Sequence, residues 1–146
     1  MALPASPASL ALFLALCAAG CGGEEEGGHL VVGLTTDLAV GFDIRRVEAT
    51  AKVDGVVAHA ESRSYSKGKL SLPTEIEVPP APDGAEVEVS IAAFRDGETS
   101  PLVARTAATR ATIGRTLLLP VSLDEACSAV ACAGGATCMA GEAVLA

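Results

Sequence analysis

The sequence predicts an all-β domain, a two-sheet sandwich of about seven strands. Three observations carry that expectation. Between His29 and about Asp124, apolar and polar residues alternate over short runs, the period of a strand with one buried face. Turn residues, chiefly Asp-Gly pairs and prolines, punctuate these runs at short, regular spacing. After residue 28 no window of comparable length shows a helical apolar period.

The elements follow in order. His29 to Thr35, HLVVGLT, is an apolar first strand. Ile44 to Val53 alternates, with Val47, Ala49, Ala51 and Val53 on one face and Arg46, Glu48, Thr50 and Lys52 on the other. Asp54-Gly55 then gives the strongest short hairpin signal, and Val56 to Tyr65 is the return strand. A two-residue loop pairs Val53 with Val56, hence Thr50 with His59 and Glu48 with Glu61. That register puts His59, Glu61 and Arg63 on the outward face. Leu70 to Val78 reads as a strand broken around Pro73, which suits a sheet edge. Residues 78–84, VPPAPDG, read as a stiff connection turning at Asp83-Gly84. Glu86 to Phe94 alternates well, with Val87, Val89, Ile91 and Ala93 inward. Asp96-Gly97 opens the next turn. Val103 to Ile113 and Arg115 to Leu123 are the last two strands, split at Gly114. Residues 64–69 and 96–100 read as exposed loops. The arrangement resembles immunoglobulin-like and transthyretin-like sandwiches in architecture, without the Cys…Trp…Cys signature of a true immunoglobulin domain.

The chain has 146 residues, enough for one domain with short tails. Half of it is apolar, but the chain has no Trp, one Tyr and three Phe, and much of the apolar content is Ala. The expected core is therefore thin and its stability modest. The net charge is -8, which repels phosphate backbones and excludes nucleic acid as an expected partner. Lys and Arg number ten and never cluster along the chain.

Ahead of the strands stands MALPASPASLALFLALCAAGC. Leu10 to Gly20 is too short to cross a bilayer as a helix and suits the apolar region of a signal peptide. Ala18-Ala19-Gly20-Cys21 resembles the lipobox of bacterial prolipoproteins, with Ala18 where Leu is usual. The resemblance implies cleavage after residue 20 and lipidation of Cys21. It also implies a membrane partner through the N-terminal lipid, and a location in the cell envelope. Gly22 stands where an Asp would signal inner-membrane retention in many Gram-negative systems, so the outer membrane is implied. Gly22, Gly23, Glu24 to Glu26, Gly27 and Gly28 form a flexible, self-repelling tether. A plain secretory signal, with Cys21 an ordinary thiol, is the alternative. The resulting division is 1–20 signal, 21–28 tether, 29–125 sandwich and 126–146 tail.

The tail holds Cys127, Cys132 and Cys138 in the stretch CSAVACAGGATC. It resembles the opening half of an EGF-like module. That resemblance implies a Cys127–Cys138 disulfide and leaves Cys132 a free thiol, able to link two chains into a disulfide homodimer. A disordered Ala/Gly tail with incidental thiols is the other reading.

Catalytic chemistry finds no constellation here, and no catalytic residue, metal site or cofactor is expected. His59 and Glu61 point the same way but need further ligands to hold a metal. Glu75/Glu77 and Glu86/Glu88 are alternating strand residues, not a cleft pair. There is no G-x-S-x-G elbow and no Gly-rich phosphate loop. Asp83, Asp96 and Glu98 offer weak calcium ligands at the sandwich ends, though Asp-Gly is first a turn signal. Phe42, Tyr65 and Phe94 are too few for a sugar platform beyond a thin Tyr65 site. The expected role is a structural or protein-interaction module that meets another envelope protein. The alternative is a weak carbohydrate or small-ligand binding module.

Overall fold

The computed structural model describes residues 27–128, 130 and 136–145. Among them are nine strands and two short 3-10 turns. The strands are β1 (Gly28–Thr36), β2 (Arg46–Val53), β3 (Val56–Ser64), β4 (Thr74–Ala81), β5 (Glu86–Phe94), β6 (Val103–Arg110), β7 (Thr116–Leu123), β8 (Ala136–Met139) and β9 (Glu142–Leu145). The 3-10 turns are Tyr65–Lys67 and Glu125–Cys127. One sheet has the order β4-β1-β7, the other β3-β2-β5-β6. Seven strands thus make the sandwich, and β8-β9 adds a hairpin from the tail. β1 runs antiparallel to β4 but parallel to β7. The four-stranded sheet is antiparallel throughout.

The two inner faces are unequal. The three-stranded sheet contributes Leu30, Val32, Leu34, Ile76, Val78, Val121 and Leu123, all buried. The four-stranded sheet contributes Val47, Ala49, Ala51, Val87, Val89, Ile91 and Ala93. All belong to one contiguous core. Leucines concentrate on the three-stranded face and alanines on the four-stranded one, which lets an Ala-rich sequence fill the space between the sheets. On β5, Val89 is buried, whereas Glu88 is half-buried and bridges to Lys52 at 3.1 Å. Val89→Ala therefore lowers stability by about 1–3 kcal/mol, and Glu88→Ala by no more than about half a kcal/mol. Urea denaturation of the two variants checks this, and the reverse order would contradict the assigned faces.

Two features of the sheets differ from the sequence reading. The Asp54-Gly55 hairpin is present, with positive φ at both residues (48° and 81°) and Val53 opposite Val56. A β-bulge follows, however. Lys52 faces Val57 while Ala51 faces His59, so Ala58 is an extra residue in β3. One added residue reverses the faces beyond it. His59, Glu61 and Arg63 therefore lie opposite Ala51, Ala49 and Val47, on the inner face and not the outward one. They remain half-buried because β3 is an edge and they turn toward the neighbouring rim of β4. Arg63 donates to Thr74 Oγ1 (2.9 Å) and to the Glu75 carbonyl (3.2 Å). The second difference concerns β4. It begins after Pro73 and runs through Pro79 and Pro80, where a connection was expected. Those prolines sit in an irregularity between the Leu30–Val78 and Gly28–Ala81 pairs, on an edge strand where missing N–H groups are tolerated.

All four sheet edges are blunted by these devices. β4 has its prolines, β7 has Pro120, and β3 has a bulge and inward charges. β6 is covered by the tail, whose Thr137 Oγ1 accepts the Thr106 backbone N–H at 3.0 Å. The tail's anchor is a disulfide between Cys127 and Cys138, with Cα atoms 5.7 Å apart. Both cysteines are fully buried and belong to the sandwich core. Arg105 secures the same corner, 3.5 Å from Asp124 Oδ2 and 3.8 Å from Cys127 Sγ.

Candidate functional site

Strand direction gives the molecule two distinct ends. β1 starts beside Ala81 and Arg115, with His29 donating its N–H to the Arg115 carbonyl. Residues 21–26 of the expected tether precede this end and lie outside the described residues, as does Cys21. At the other end β2 begins, β3 and β5 finish, and Arg46 pairs with both Ser64 and Phe94. Strands of this length rise about 3.3 Å per residue, so the ends are about 26 Å apart.

At the end opposite the start of β1 is a cleft of about 270 Å³. Three arginines, Arg45, Arg46 and Arg95, are among the residues that line it. Arg45 is held in place: it lies 5.6 Å from the Tyr65 ring centre, and its Nη1 donates to the Gly41 carbonyl at 2.7 Å. Gly41 is required there. Its φ is 87°, and a Cβ on it would come within 2.7 Å of the Tyr65 ring. Arg46 is stacked over Phe94 at 4.2 Å, and its Nη2 donates to the Glu98 carbonyl at 3.4 Å. Its Nε lies 3.3 Å from Glu48. Arg95 is exposed and makes no hydrogen bond or ion pair among the described residues. Ser64, Ser66 and Thr99 add hydroxyl groups to the walls. Two carboxylates, Asp96 and Glu98, also line the cleft. Asp96 is 83% exposed and only 3.7 Å from Arg45, a loose surface pair.

A second hollow, of about 560 Å³, lies at the end where β1 starts and touches both histidines of the chain, His29 and His59, together with Glu77. Glu61 stands between His59 (3.9 Å) and Arg63 (2.9 Å) as an ion pair without hydrogen-bond angles. No group of three His, Cys, Asp or Glu able to hold a metal occurs among the described residues. The carboxylates considered for calcium are also separated. Asp83 precedes β5 and accepts the Ile113 N–H at 3.0 Å, whereas Asp96 and Glu98 follow β5 at the opposite end.

No known protein family matches the chain, and no curated protein or solved structure does so either.

Of the residues singled out from the sequence, Cys127 and Cys138 are brought together as the pair implied by the tail. Cys132 lies outside the described residues. Tyr65 is half-exposed, but its ring serves to hold Arg45. Phe94 is buried under Arg46, and Phe42 is 85% exposed. The sequence reading missed the cleft because Lys and Arg do not cluster along the chain, whereas the fold gathers them. The signal was positional: Arg45-Arg46 at the start of one strand and Arg95 just past the end of another. Antiparallel pairing brings such residues to one end.

Proposed function

We propose that the chain is a lipid-anchored protein of the bacterial envelope, bound to the outer membrane through Cys21, whose β-sandwich is a structural or interaction module. The observation that carries this reading is the polarity of the sandwich. The chain enters β1 at one end, directly after the Gly/Glu tether, and the arginine-lined cleft lies at the other. A tethered domain of this build presents its far end to other envelope components. The blunted edges favour contact through loops and faces over the addition of a partner strand. In the same reading the sandwich is of immunoglobulin-like or transthyretin-like type. The tail is a partial EGF-like module, and Cys132 is a free thiol able to link two chains.

The anchor is tested by cell fractionation. Wild type partitions into the detergent phase, and Cys21→Ser accumulates as an unprocessed or soluble precursor. Equal membrane recovery of the two forms would remove the anchor from the proposal. A second reading, a small-ligand module, is favoured by the recessed cleft with its oriented guanidinium groups.

A further inference from the structure

We propose that the cleft between Arg45, Arg46 and Arg95 is a binding site for a single oxyanion group, a carboxylate, sulfate or phosphate carried by a small molecule. The proposal rests on the small-ligand reading and gives it a chemistry.

Guanidinium groups are planar forks of donors that match two oxygens of an oxyanion at once. Holding such a long side chain in one place ordinarily costs rotamer freedom. Here two of the three are already placed before any ligand arrives. Arg45 is fixed by Tyr65 and the Gly41 carbonyl, and Arg46 by Phe94 and the Glu98 carbonyl. Aromatic faces and neutral carbonyl oxygens orient these cations, while Asp96 at 3.7 Å from Arg45 and Glu48 at 3.3 Å from Arg46 offset part of their charge. Arg95 has no partner among the described residues and adds an uncommitted charge. Hydroxyl residues Ser64, Ser66 and Thr99 can donate to remaining ligand oxygens.

The competing charges are accounted for by position. Asp96 is the nearest carboxylate to Arg45, but at 3.7 Å and 83% exposure it can swing into solvent when an anion enters. Glu98 faces Arg46 through its backbone carbonyl. Glu48 pairs with Arg46 through Nε and the Glu98 carbonyl accepts from Nη2, which leaves Nη1 for a ligand oxygen. The lining carries three positive and two negative side chains, and Glu48 beside Arg46 brings the local charge to balance, in a chain of net charge -8. The volume of about 270 Å³ suits a molecule of monosaccharide or amino-acid size and not a folded partner.

The test is titration of the purified full-length chain in neutral detergent with inorganic phosphate, sulfate and glucuronate at low ionic strength, followed by calorimetry. At least one anion binds saturably at one site, and the tightest of the three identifies the oxyanion. Arg95→Gln weakens that binding about tenfold or more, the worth of one charged hydrogen-bond donor, while the melting temperature is unchanged. Arg110→Gln, at the opposite end of the sandwich, leaves the affinity as in wild type. Failure of all three anions to saturate, or an equal loss in Arg110→Gln and Arg95→Gln, would overturn the proposal. Either failure leaves the anchored-module reading intact, because the Cys21→Ser fractionation tests that separately.

Discussion

Leu34→Ala costs the sandwich about 3–5 kcal/mol, the upper part of the range for a buried leucine. Leu34 is 1% exposed on β1, the central strand of the three-stranded sheet. It is paired laterally with Thr74 on β4 and Val121 on β7. The opposing sheet supplies Ala49, Ala51 and Ala93 to the same core. Alanines cannot extend to fill the space left by a lost isobutyl group, so the cavity persists with little relaxation. That is the condition under which the cavity penalty adds most fully to the lost transfer energy. The same asymmetry makes the reverse change unfavourable: a larger residue at Ala49 meets leucine and valine already in place. Small domains are stable by only about 5–15 kcal/mol, so Leu34→Ala removes a large share. Urea denaturation gives the value directly. A loss below about 1 kcal/mol would mean that the two faces do not interlock as described.

The sequence made some of this legible and hid the rest for definable reasons. β5 was readable because Val87, Val89, Ile91 and Ala93 keep strict period two on a strand with neighbours on both sides. The Asp54-Gly55 turn was readable because positive φ at both positions restricts the residue choice. The face of β3 was not. Its bulge places the extra residue at Ala58, which carries no signal of the kind a glycine would give. β4 was misjudged at both ends because proline reads as a breaker until the strand is known to be an edge. The parallel β1-β7 pairing depends on contacts across almost the whole domain, and no local pattern encodes it. The cleft has the same character. Arg45 and Arg95 are fifty residues apart and meet only because β2 and β5 are adjacent and antiparallel. The cysteines lie between these cases. The resemblance to an EGF-like module implied their bond, but not that both would sit in the core of the sandwich.

Removing the disulfide is expected to release the tail from β6 before it unfolds the sandwich. The bond closes a sequence separation of 11 residues, which stabilises by about 3 kcal/mol at most through the restricted unfolded chain. Its local effect is sharper. β8 and β9 pair with each other, and a two-stranded hairpin is marginal by itself. One described hydrogen bond holds it to β6, and one close approach holds it to the Glu125–Cys127 turn. Thr137 Oγ1 accepts the Thr106 N–H, and Gly141 stands close to the Ala126 carbonyl. Cys127 and Cys138 supply the buried apolar part of the junction. In the double variant Cys127→Ala/Cys138→Ala, the hairpin therefore opens as a unit with far lower free energy than the domain. The Thr106 N–H points away from β5 and depends on Thr137, so its hydrogen exchange accelerates strongly. The Val89 amide, in the central β5, keeps its protection apart from the smaller global loss. Reduction of wild type gives the same pattern, once the buried sulfurs become accessible. Equal exchange at Thr106 in variant and wild type would show that packing alone holds the tail against the sheet. Equal acceleration at Thr106 and Val89 would show instead that tail and sandwich unfold as one cooperative unit.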